Sequence, residues 1–123
     1  MTAGDLNKTF GWIWLLILLP ISLLLGMNMN VSALNVANRP FHVHSGLLAF
    51  FNIFYGLSID AVSISDKIKL IGSMLAILGT ILVTIGFYSF QVEWLMFFGV
   101  PLILVAIGIM AYGQLKKMRL RID

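Results

Sequence analysis

Polar and apolar positions do not alternate along this chain; they separate into long blocks. Four runs without Asp, Glu, Lys or Arg, namely Phe10–Met27, Phe41–Ile59, Leu70–Val92 and Trp94–Leu115, are divided by short polar stretches. At a helical rise of about 1.5 Å per residue, each run is about long enough to cross a hydrocarbon layer near 30 Å thick. The pattern therefore predicts an all-α integral membrane four-helix bundle, a single transmembrane domain over residues 1–123 with spans of about 10–27, 41–59, 68–92 and 94–115. The first link, Asn28–Pro40, carries Asn28, Asn30, Asn35 and Asn38 and ends in Arg39-Pro40. Proline disfavours helix before it and permits helix after it, so helix two is predicted to start there. In the second link, Asp60–Lys69, Ser65 is the expected N-cap of helix three. The third link, Gln91–Glu93, is so short that helices three and four must be antiparallel neighbours.

Composition sharpens this picture. With 60% apolar residues, 11% charged residues and a mean hydropathy of +1.01, the chain has too little polar surface to hydrate a water-soluble fold. In a soluble protein a net charge of +3 would point to nucleic acid. Here the basic residues flank apolar spans, where they set orientation and meet anionic lipid, so no nucleic-acid binding is expected. Lys8, Lys67, Lys69, Lys116, Lys117, Arg119 and Arg121 fall on one side of the bilayer and Arg39 alone on the other. That asymmetry predicts an N-in/C-in, multi-pass protein of the cell membrane with the lipid bilayer as its surroundings. Trp12 and Trp94 are expected at the interfaces. Cysteine is absent, which excludes disulfides, thiolate metal sites and cysteine nucleophiles. No small-residue cleavage site follows the first apolar run, so no removable signal peptide is expected.

Within the spans, Gly72, Ala76, Gly79 and Gly86 form a small-residue stripe on helix three, a packing surface that lets backbones approach closely. Pro20 and Pro101 are expected to kink helices one and four. Polar side chains inside a span are costly and mark candidate function, and they gather on helix two. A helical wheel places His44, Tyr55, Asn52, Ser45, Gly56 and Ala49 on one side, expected to face the interior. Leu57, Phe50, Phe54, Leu47 and Phe51 form the opposite, lipid-facing arc. His42 lies about 200° from His44 on that wheel, which speaks against a His-x-His metal site. An inward imidazole at the end of a span is a candidate axial ligand to haem iron, with Arg39 placed to neutralise a propionate. It could equally be an interfacial histidine bonded to a carbonyl or to water.

The order Val43-His44-Ser45-Gly46, then Ser65-Asp66-Lys67 with Gly72-Ser73, then Gly86-Phe87-Tyr88-Ser89-Phe90 resembles the styrene oxide isomerases over helices two and three. That resemblance implies a small four-helix membrane protein, trimeric, that binds haem b through His44 and uses Tyr88 in catalysis. The expected reaction is conversion of an apolar epoxide to a carbonyl compound, an intramolecular oxidoreductase type of isomerisation in which ferric haem acts as a Lewis acid. The family's asparagine six residues beyond the histidine is Phe50 here. Asn52 lies about 160° around the helix from that position and is expected to bond between helices. A different reading makes the chain a small accessory or structural subunit of a membrane redox complex, an oxidase or monooxygenase. Electron transfer, with Met27 or Met29 as second axial ligand, is a third.

Overall fold

The computed structural model describes the backbone of residues 1–27, 39–88, 94–120 and 122, and the side chains of these residues except at 19, 22–27, 39–43, 45, 87 and 88. The described residues are all-α, without strands: α1 (Ala3–Met27), α2 (Arg39–Ile59), α3 (Asp66–Tyr88) and α4 (Trp94–Arg119). The turn expected at Gln91–Glu93 lies outside the described residues.

Local chemistry accounts for the ends. Helix α1 starts seven residues before its apolar run because Thr2 and Asp5 form a capping box. Asp5 N–H donates to Thr2 Oγ1 at 3.0 Å, and Thr2 N–H donates to Asp5 Oδ2 at 2.9 Å. The described part of α2 runs from Arg39, at the Arg-Pro pair, and α3 begins directly after Ser65. Pro20 and Pro101 lie inside α1 and α4.

The helices alternate in direction, and two antiparallel hairpins are each held by glycine. In α1/α2, Gly4 faces Gly56 and Asp60, while Gly11 faces Ala49 and Ile53. In α3/α4, Gly72 faces Ile109, and Gly79 faces Gly99 and Ile103. This makes α3 and α4 the antiparallel neighbours that their short link demands, with the glycine stripe of α3 at their seam. Helices α2 and α3 occupy the middle, and Tyr55, Ile59, Val62, Ala76 and Ala106 form the core between them and α4. Tyr55 Oη spans that core to donate to the Ala106 carbonyl at 3.1 Å.

One end of the bundle is tied by charge. The Asp60 carboxylate caps α1, accepting from Gly4 N–H at 3.0 Å and from Thr2 Oγ1 at 2.7 Å. Lys69 Nζ and Lys117 Nζ donate to the Asp60 and Ala61 carbonyls at the end of α2, at 3.2 and 2.8 Å. Lys8 Nζ sits 2.8 Å from Asp5 Oδ1. The Lys8 hydrogen bond, followed by the Thr2 amide, holds the Asp5 carboxyl well below its usual range, and Asp5 in turn raises Lys8.

The outside is apolar. Leu16, Phe54, Phe97 and Leu104 are all more than 60% exposed, and α4 buries only Gly99, Ala106 and Gly113, one small residue every seven. Among the described residues two helices are long and apolar enough to cross a membrane, Asp66–Gly86 of α3 and Trp94–Arg119 of α4.

Candidate functional site

Helix α2 presents its residues much as its wheel predicts, with two exceptions, Phe51 and His44; the side chain of Ser45 lies outside the described residues. Asn52, Tyr55, Ala49 and Gly56 are buried, and Leu47, Phe50, Phe54 and Leu57 are exposed. Phe51, expected on the outer arc, is half-buried against the core. For His44 the expectation that it faces the interior is corrected, since it is exposed. The cause is axial and not angular: Tyr55, only about 20° around the helix from His44, is buried three turns further along α2, where α4 covers it.

His44 borders an apolar hollow of about 280 Å³ between α2, α3 and α4. Leu47, Leu48, Val83, Val100, Ile103 and Leu104 line the rest of it. The side chains of Arg39, His42, Tyr88 and Met27 lie outside the described residues, as does the whole of Met29. The backbone nevertheless sets levels. Asn52 Nδ2 donates to Thr80 Oγ1 at 2.6 Å, which fixes the antiparallel register of α2 and α3. Eight residues from Asn52 along α2 stands His44, and eight from Thr80 in the same direction along α3 stands Tyr88. The two positions share a level. Val83 lines the hollow beside His44, whereas its neighbour Thr84 lies on the hydroxyl-bearing face of α3.

That hydroxyl face belongs to a polar seam which the sequence reading missed apart from Asn52. Asn7 Nδ2 donates to Asn52 Oδ1 at 2.9 Å, and Asn52 Nδ2 donates both to Thr80 Oγ1 and to the Leu48 carbonyl, the latter at 2.9 Å. Ser73 Oγ donates to the Ala3 carbonyl at 3.0 Å. The Leu48 carbonyl can only accept, so the Asn52 amide nitrogen must point at it and its oxygen at Asn7. Asn7 must then donate, which leaves its own Oδ1 buried without a partner. Trp14 Nε1 and Thr84 Oγ1 are likewise buried and unpartnered. The legible signal was Ser73, Thr80 and Thr84, spaced seven and four residues apart and hence within about 40° on one face of α3.

Among the described residues no group of three His, Asp or Glu side chains could hold a metal ion. No known protein family, curated protein or solved structure matches this chain.

Proposed function

We propose that the chain is a multi-pass membrane protein, N-in/C-in, that binds haem b through His44 and isomerises an apolar epoxide to a carbonyl compound. The length of α3 and α4, the apolar outer surface and the seven-to-one division of basic residues support insertion. The observation that carries the cofactor reading is the position of His44: an imidazole at the rim of a hollow whose other lining side chains are all aliphatic. A flat apolar macrocycle with iron at its centre asks for that pair, one nitrogen ligand and an apolar wall. The hollow's 280 Å³ is too small to enclose a haem. Since His44 lies on the outside of its own bundle, the ring would be covered by a second copy, in keeping with a trimer.

When bound, ferric haem would supply Lewis acidity toward an epoxide oxygen. His44 would hold the iron, Arg39 at the start of α2 would neutralise a propionate, and Tyr88, at the same level as His44, would donate to the oxygen as charge develops on it. The purified protein should show a Soret band that His44→Ala removes and His42→Ala retains, and cyanide should shift it. Tyr88→Phe should slow epoxide turnover by about 10² to 10³ while sparing the spectrum. A colourless, well-folded protein refutes the reading. It would favour an accessory subunit of a membrane redox complex, for which the observation is α4: with three small residues buried and the rest of it partly or fully exposed, it offers a long apolar face to a larger partner.

A further inference from the structure

At the end of the bundle that holds both termini, several basic side chains are committed within the fold. Lys8 Nζ sits 2.8 Å from Asp5 Oδ1, Lys69 Nζ donates to the Asp60 carbonyl at 3.2 Å, and Lys117 Nζ donates to the Ala61 carbonyl at 2.8 Å. Lys116 and Arg119 are both exposed, and among the described residues no carboxylate pairs with either. Asp5, Asp60 and Asp66 are engaged instead with Lys8, the start of α1 and Lys69.

Helix α4 sorts these charges by angle. Gly99, Ala106 and Gly113 mark its buried side, and Lys117, one turn beyond Gly113, points within about 40° of that side and so reaches Ala61. Lys116 and Arg119 turn to another face, about 60° apart with Tyr112 between them in angle. There Tyr112, Leu115, Lys116, Arg119 and Leu120 line one hollow of about 580 Å³, within the roughly 300–1,000 Å³ usual for small-ligand sites. Further into the span the same face continues through Gly108, Val105 and Pro101, all exposed. Gly108 keeps that face open, since a Cβ there would meet nothing within 4 Å. The charge-free run 94–115 ends one residue before Lys116. The two cations therefore stand at headgroup level and Tyr112 in the last apolar turn, where amphipathic rings settle.

We propose that this face of α4 holds one anionic phospholipid, its phosphate in the hollow between Lys116 and Arg119 and one acyl chain along Gly108, Val105 and Pro101. A phosphate accepts from both cations at once, from the guanidinium through two parallel N–H bonds, and the Tyr112 hydroxyl is a third donor lining the same hollow. The apolar face leading into the span from the hollow suits a lipid better than a free anion, which would leave it bare. The site rests on the membrane-inserted, C-in part of the functional reading, which sets this end of α4 in the leaflet that carries anionic lipid, and on nothing at His44.

The test titrates the full chain in a nonionic detergent with phosphatidylglycerol or with phosphatidylcholine of the same acyl chains, read by native mass spectrometry. One phosphatidylglycerol should bind saturably, about thirtyfold more tightly than phosphatidylcholine, the product of about fivefold for each basic residue. Lys116→Gln and Arg119→Gln should each remove about fivefold of that preference and together abolish it, while Lys67→Gln, at an exposed position of the same end, should leave it intact. Gly108→Leu should weaken both lipids and keep their ratio. Equal binding of the two lipids overturns the proposal. So does a loss from Lys67→Gln that matches the loss from Lys116→Gln, which would reduce the effect to net charge. Displacement of the lipid by glycerol phosphate at similar concentration would assign the hollow a soluble anion and overturn it too, and unchanged affinities in Gly108→Leu would overturn the placing of the acyl chain. Insertion is tested separately by washing phosphatidylcholine vesicles that carry the chain at alkaline pH. Release of the chain refutes the membrane reading itself, whereas a retained chain without lipid preference refutes this site alone.

Discussion

Replacing Gly99 by alanine should loosen α4 from α3, whereas the same replacement at Gly108 on the same helix should not. A Cβ on Gly99 would stand 2.7 Å from Val83 Cγ2 and 2.9 Å from both the Gly79 carbonyl oxygen and the Val83 amide nitrogen. Two of those three atoms are backbone and cannot swing aside. Restoring ordinary contact pushes α4 outward by about half an ångström, enough to forfeit roughly a quarter of the dispersion energy along the seam. Overpacking of this kind costs about 1–3 kcal/mol, against which alanine recovers about 1 kcal/mol of helix propensity. The net expectation is a loss of about 1 kcal/mol for Gly99→Ala. Gly108 has nothing within 4 Å of its would-be Cβ, so Gly108→Ala should keep the propensity gain of about 1 kcal/mol undiminished. Unfolding in mixed micelles with increasing SDS, followed by far-UV circular dichroism, reads both. Gly79→Ala intrudes on the same contact, so the double variant should cost less than the two singles together. A Gly99→Ala protein as stable as Gly108→Ala would refute the close-approach account of the α3/α4 seam.

Asn52→Leu should destabilise the fold by about 1–3 kcal/mol, because it strands the Asn7 amide in the interior; adding Asn7→Leu should recover part of the loss in the same SDS titration. The Asp5 carboxyl, followed by carbon-13 NMR, should titrate below the ordinary value of about 3.9. Its folded value is depressed, so its contribution to stability is present above about pH 4 and disappears only as the pH falls through the lower folded value. Lys8 behaves in the opposite sense: with its folded value raised, its contribution is whole below about pH 10 and is lost as the pH rises through the raised value. For orientation, single cysteines at Asn35 and Glu93 should react with an impermeant thiol reagent in intact cells and Met118→Cys should not; labelling at position 118 would reverse the topology.

How far the sequence could be read depended on what each feature needed from its neighbours. Helix blocks, the exposed arc Leu47, Phe50, Phe54 and Leu57, and the packing role of Gly79 follow from local pattern alone. The interhelical role of Asn52 was legible too, since a buried amide in an apolar helix must find partners. His44 was misplaced because a wheel gives angles and not depth along the helix. Tyr55 shares its face to within about 20° and is buried where α4 covers it, whereas three turns away His44 borders a hollow.

The double donation of Asn52 also bears on the order of assembly. A chain emerges from its amino-terminal side first, so α2 exists before α3 has been made. At that stage Thr80 is not yet there to accept, and a bare amide would face apolar surroundings with its donors unmet. The carbonyl of Leu48, one turn back on the same helix, is available as soon as α2 forms and takes one Asn52 proton. Asn7 engages the amide oxygen when the first hairpin closes, and Thr80 completes the set when the second hairpin docks. The amide gains its partners in the sequence in which they are synthesised, so a side chain that holds three helices together is never left wholly unpartnered while it waits for the third.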